Sequence, residues 1–150
     1  MTQHFSLAEF TASARATALG IDNTLPLDLM PNATRTMEML ERIRSTLGAP
    51  VLLTSGYRCL ELNRAVGGAN GSDHVLALAA DWTSPMFGSP LDACRLLAPL
   101  ARMLGIGQLI YECPKRDRQW VHTSAGKSPG NILTIGPGGT TRAGILEVWT

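Results

Sequence analysis

Two imidazoles and a carboxylate, His74, Asp81 and His122, are the residues of this chain whose types and spacing could do chemistry. Asp81 lies in an otherwise apolar run, Leu78-Ala79-Ala80-Asp81-Trp82. A carboxylate in such a place is costly unless it is paired or holds a metal. His122 ends a second apolar run, Trp120-Val121-His122, so two strands of one sheet would offer an imidazole and a carboxylate to each other. This set suits Zn²⁺, and three protein ligands leave one position open for water, as in catalytic sites. Lewis acidity and an acidified water would follow, with a nearby carboxylate moving the protons. The spacing alone also admits a plainer reading: His74 as a loop histidine, Asp81 as an acceptor for backbone N–H at a strand end, His122 as a satisfied, half-buried imidazole.

The elements that must position these groups can be read from periodicity and punctuation. Ser6 followed by Glu9 forms a capping box, with Phe5 and Phe10 as a hydrophobic staple, predicting a helix from Leu7 to about Gly20. Ala33, Met37, Leu40, Ile43 and Leu47 recur at helical spacing, predicting a helix over 32–47 that stops at Gly48 before Pro50. Val51 to Thr54 reads as a buried strand, Leu60 to Val66 as a short helix, and 67–72 as a Gly-rich loop delivering the chain to His74. Leu78 to Trp82 reads as strand. Ser89, Pro90 and Asp92 start a third helix that ends by Gly105 and is kinked or broken at Pro99. Strands are predicted over 108–112, 120–124 and 132–135, with a hairpin-scale turn at 136–139 and a β-rich segment from Gly144 to Trp149. Helices come first and strands later without βαβ alternation. The fold class is therefore α+β, with N-terminal helices on a small, mostly antiparallel sheet.

A chain of 150 residues, 45% apolar and 17% charged, is expected to form one domain over 1–150. Its 13 basic and 12 acidic residues are spread without long runs, which argues against nucleic acid as a partner. No apolar run is long enough to span a membrane, and the start of the chain carries no export leader. Synthesis in the cytoplasm without a signal peptide is thus expected. Cys59, Cys94 and Cys113 lack CxxC spacing and read as reduced, structural thiols.

Several motifs, in order, carry a resemblance: Ser55-Gly56-Tyr57-Arg58, Leu62-Asn63, Val66-Gly67-Gly68, Ser72-Asp73-His74, Ala79-Ala80-Asp81, Gln108-Leu109-Ile110-Tyr111-Glu112 and Trp120-Val121-His122. Together they resemble the D-alanyl-D-alanine carboxypeptidase family of zinc peptidases, most closely its short, phage-associated members. Phe5 to Phe10 and Leu19 to Asn23 resemble the N-terminal helix and linker of such proteins, so nearly the whole chain takes part. The resemblance implies one Zn²⁺ held by His74, Asp81 and His122, and a peptide of bacterial peptidoglycan as substrate. It assigns Arg58 to a substrate carboxylate or to developing negative charge, tasks suited to a guanidinium fork. Ser72, Tyr57 and Trp120 are expected near substrate or in support of the ligands.

Two departures stand out. Ala77 occupies a position where the family has Gly, which is tolerable if its φ is negative. Gln119 stands three residues before the last histidine, where many relatives carry the catalytic acid, and an amide cannot serve as a general base. Glu112 is the expected substitute, on a strand beside that of His122; Asp117, between Arg116 and Arg118, is the weaker candidate. Trp82 and Trp120 are expected to wall the site. The implied activity is a phage-lysin-like peptidase that reaches the wall after release or as part of a virion. Its alternative is an inactive peptidase-fold component bound to other virion proteins.

Overall fold

The computed structural model describes residues 1–127 and 129–150. The N-terminal helix is two helices, α1 (Leu7–Thr11) and α2 (Ala14–Leu19). The Ser6 hydroxyl caps α1 by accepting from Glu9 N–H at 3.1 Å. The expected single helix breaks because Ser13 acts as a second cap, its hydroxyl accepting from Ala16 N–H at 3.1 Å. A 3₁₀ turn over Leu27–Leu29 leads into α3 (Met30–Leu47), two residues earlier than periodicity suggests. Pro31 is tolerated in that first turn because the N–H it lacks would have no helical partner. Gly48 ends α3 with φ 64°.

Next come β1 (Leu52–Ser55), α4 (Leu60–Ala65) and β2 (Ala79–Thr83). The third predicted helix is broken at its internal proline: α5 (Pro90–Leu97), a 3₁₀ turn containing Pro99, then α6 (Ala101–Leu104) closed by Gly105. The remaining strands are β3 (Gln108–Lys115), β4 (Arg118–Ser124), β5 (Asn131–Ile135) and β6 (Thr141–Ala143). Strand β6 precedes Gly144, whereas strand was expected to follow it. Residues 144–149 instead pack as an irregular strap, with the Trp149 indole N–H donating to Cys113 O at 3.1 Å.

Among the described residues the strands form one six-stranded mixed sheet, in the order β1-β2-β4-β3-β5-β6. Its pairings are antiparallel except β3 with β5, which is parallel. β1 is an edge strand with Leu52 half exposed, and not the buried strand expected, because it pairs on one side only. The helices cover one face: Met37, Leu40 and Ile43 of α3 and Cys94 and Leu97 of α5 share a core with Trp82, Leu109, Tyr111 and Val121. Cys59, Cys94 and Cys113 are free thiols. Among the described residues no helix is long and apolar enough to cross a membrane.

Candidate metal centre

Strand pairing brings the chemistry together. Asp81 of β2 lies directly opposite His122 of β4, and His122 opposite Ile110 of β3. Directly paired residues share a face and alternate residues return to it. Asp81, His122, Trp120 and Glu112 therefore stand on the face away from the helices, with Glu112 paired to Trp120. The same alternation sends Gln119 to the other face, where its amide oxygen accepts from the Tyr111 hydroxyl at 2.6 Å and its amide N–H donates to Arg116 O at 2.8 Å. Trp82 also falls on the helix side, fully buried, donating to the Thr123 hydroxyl at 3.1 Å. It is a core residue and not the wall of the site that was expected.

His74 reaches the cluster from the 67–78 loop. Its Nδ1–H donates to Gly56 O at 2.6 Å, which turns Nε2 toward Asp81 Oδ2, 3.3 Å away. In that tautomer Nε2 offers a lone pair to a carboxylate oxygen, so a proton or a cation must stand between them. His122 Nδ1–H donates to Asp81 Oδ1 at 2.8 Å, and the two imidazole rings meet edge to face at 5.1 Å. All three groups are buried, and their ligand atoms lie within 4.8 Å of one another. Two ligands of one tetrahedral Zn²⁺ are about 3.3 Å apart, so the His74–Asp81 spacing fits such an ion. The Asp81–His122 distance is that of a hydrogen bond, which ligation by both groups would replace.

Burial pushes the Asp81 carboxyl up, but the His74 charge and the hydrogen bonds from both imidazoles outweigh it, leaving the group well below the carboxylate range. His122 is raised: burial opposes its charged form, and Asp81 more than compensates. Glu112 is raised as well, by burial first and then by repulsion from Asp81. A carboxyl held this way near a metal set has the character of a proton-transfer group. The Trp120 indole N–H lies close enough to favour Glu112's ionised form, yet it falls short of hydrogen-bond geometry and is buried with no partner among the described residues. Asp117 stands in the exposed turn at the tip of the β3–β4 hairpin, five residues or about 16 Å of strand from His122. Cys113 is buried on the helix side, so it is no fourth ligand.

Arg58 links the turn after β1 to the cluster. Its Nη2 donates to Asp81 Oδ2 at 2.8 Å, its Nε to the Ser55 hydroxyl at 2.9 Å, and its Nη1 reaches Asn63 Oδ1 at 3.5 Å. These bonds use three of the five guanidinium N–H groups. The Ser72 hydroxyl accepts from His74 N–H at 3.3 Å and so shapes the ligand loop. Tyr57, expected near substrate or in support of the ligands, is buried in the core, its N–H donating to Phe10 O at 2.9 Å.

Sequence reasoning assigned no role to several supports. Gly56 presents the carbonyl that orients His74, and a Cβ there would stand 2.2 Å from Phe10 O. The Asn23 side chain ties α1 to this turn, donating to Thr11 O and Tyr57 O and accepting from Cys59 N–H. Asp73, buried beside His74, accepts from the Ser124 hydroxyl and faces Lys127 Nζ at 3.6 Å. A polar residue in a buried loop signals such work in a sequence, but its partners do not. Ala77 is the remaining surprise: between His74 and Asp81 it takes φ 57°, not the negative value that would make Ala easily tolerable there.

The buried His74, Asp81 and His122 side chains form a set that could hold a metal ion, with the raised Glu112 carboxyl on the same face. The chain belongs to the peptidase M15 family, whose model matches residues 3–124, and is therefore a metallopeptidase. No curated protein matches it.

Proposed function

We infer that the protein is a zinc-dependent peptidase that hydrolyses the peptide portion of bacterial peptidoglycan, as a lysin or a wall-cutting virion component does. The observation that carries this is the convergence of His74, Asp81 and His122 on a face that also bears Glu112. Bound there, the ion would supply Lewis acidity and make water acidic enough to attack near neutral pH. Glu112, its proton held more tightly than usual, would accept a proton from the attacking water and pass it to the leaving amine. Among the described residues Arg58 keeps two N–H groups without a partner, which suit either a terminal carboxylate or the oxygen on which charge develops. Trp120 would bound the groove and exclude water from Glu112.

An inactive peptidase-fold component is the other reading, motivated by Gln119 at the usual acid position and by Ala77. Gln119 faces the helices, so its identity bears little on the open face. The deciding experiment combines zinc content with cleavage of stem peptides by wild type and Glu112→Gln. We expect about one zinc per chain, chelator-sensitive cleavage, and cleavage lost in the variant with zinc retained. Zinc-loaded protein that cuts no stem peptide would overturn the reading. Because a ligand bound only by the folded state adds about 4 kcal/mol at a thousandfold excess over its dissociation constant, stripping the metal should also lower the melting temperature.

A further inference from the structure

The site face continues past Trp120 to the tip of the β3–β4 hairpin. Arg118 is two residues before Trp120 on β4 and shares its face, with the guanidinium 5.6 Å from the centre of the indole ring. Between Glu112 and Lys115, β3 spends three residues where β4 spends two, a bulge that includes Pro114, whose missing N–H suits such a position. The extra residue places Lys115 directly opposite Arg118. Like charges facing each other across a strand pair repel, and a carboxylate would ordinarily relieve them. Neither cation forms an ion pair among the described residues, and both are exposed. Arg116, their neighbour, is turned away to donate to Thr150 O at 2.6 Å.

From these observations we propose that Lys115 and Arg118 form a subsite for a carboxylate carried by the peptide substrate. The inference rests on the peptidase reading and names the substrate class more closely: an acidic peptide. Trp120 lies two residues, about 7 Å, along β4 from His122, and the Arg118 guanidinium leans back over it. An extended peptide advances by nearly the same step, so the carboxylate belongs about two residues from the residue whose bond is cut. Arg58, on the β1 side of the cluster, would take the C-terminal end. The peptide then crosses β2 and β4 with its N-terminal part toward the hairpin.

The test uses zinc-loaded full-length protein and two phosphinate analogues of a pentapeptide ending in D-Ala-D-Ala. They carry the phosphinate in place of the last peptide bond and differ only in glutamate or glutamine at residue 2. Calorimetry at low salt should show about tenfold tighter binding of the glutamate analogue by wild type. That preference should fall to about one in the Lys115→Gln/Arg118→Gln protein and at 1 M salt, where charges are screened beyond about 3 Å. Arg118→Lys, which keeps the charge, should retain most of it. Equal affinity of wild type for the two analogues, or a preference that survives the double substitution, would overturn the subsite while leaving the peptidase reading intact. Absence of binding to either analogue would overturn this inference, and cleavage of stem peptides by the same zinc-loaded protein would show whether the peptidoglycan reading falls with it.

Discussion

Trp82, Tyr111 and Val121 face the helices; Asp81, Glu112 and His122, their immediate sequence neighbours on the same three strands, face the other way. The first group is packed into an apolar core. The second is also largely buried, yet holds charge through hydrogen bonds and ion pairs: Asp81 is met by His74, His122 and Arg58 at 2.8 to 3.3 Å. The period of two along a strand separates scaffold from chemistry with no intervening residue. A core face locked by large side chains fixes the strand register, and register fixes which groups meet on the other face. Rigidity on one side is thus the condition for a defined ligand set on the other.

Substitutions on the two faces should therefore fail in different ways. Glu112→Gln should lower kcat by about 10²- to 10⁴-fold, the usual share of a positioned proton-transfer group, with metal content unchanged. Its stability should move the other way. Burial and then Asp81 raise the Glu112 carboxyl above its unfolded value, so the stability it contributes is complete below about pH 4 and is lost as pH rises through the folded pKa. Gln cannot ionise. In chelator, the variant should match wild type near pH 4 and melt above it at neutral pH; a variant that melts lower at neutral pH would break the assignment of Glu112 to a buried, repelled position. Trp82→Ala should cost about 3–5 kcal/mol in urea titrations, because it opens a cavity and strands the Thr123 hydroxyl. Its remaining folded fraction should still bind metal.

Gly56 joins the two regions, and its substitution should damage both by smaller amounts. A Cβ there meets Phe10 O at 2.2 Å and the Phe10 ring at 2.7 Å, so Ala must push the turn off α1 at a cost of about 1–3 kcal/mol. Moving the Gly56 carbonyl also releases His74, and loss of such a support typically weakens metal binding about 10–100-fold. Zinc titration with a competing chelator measures it; unchanged affinity would show that His74 needs no such partner. Ala77→Gly is expected within about 1 kcal/mol of wild type. Relief of the left-handed backbone, about 1–2 kcal/mol, is offset by the looser unfolded chain and by the loss of a buried methyl worth about 0.8 kcal/mol.

The helix boundaries at Gly48 and Gly105 and the break at Pro99 were legible because local residues decide them. The meeting of His74, Asp81 and His122 was legible because a carboxylate in an apolar strand needs a partner and family motifs lay around it in order. Less visible were features set by distant contacts. Nothing near β1 reveals that it takes an edge, and nothing near Gly56 that its carbonyl orients a histidine eighteen residues away; the Ser13 cap, by contrast, is a local signal, a serine three residues before the N–H it accepts from. The alternation of β2 and β4 was available but not applied to Trp82 and Gln119. Once Asp81 and His122 share a face, an odd offset from either places a residue on the opposite one.

That parity yields the smallest expected effect and a sharp test of the two-face comparison. If the acid position of relatives mattered here, Gln119→Glu would raise activity. In this sheet residue 119 contacts Tyr111 and Arg116, and a carboxylate in its place can still accept from the Tyr111 hydroxyl at 2.6 Å. The bond to Arg116 O would be lost, at a cost of about 1 kcal/mol. Peptidase activity per folded molecule should change by less than roughly twofold, the scale of a substitution that touches no reacting group. A tenfold gain would mean that the side chain at 119 reaches the metal face, and the β4 register, with every contact inferred from it, would have to be redrawn.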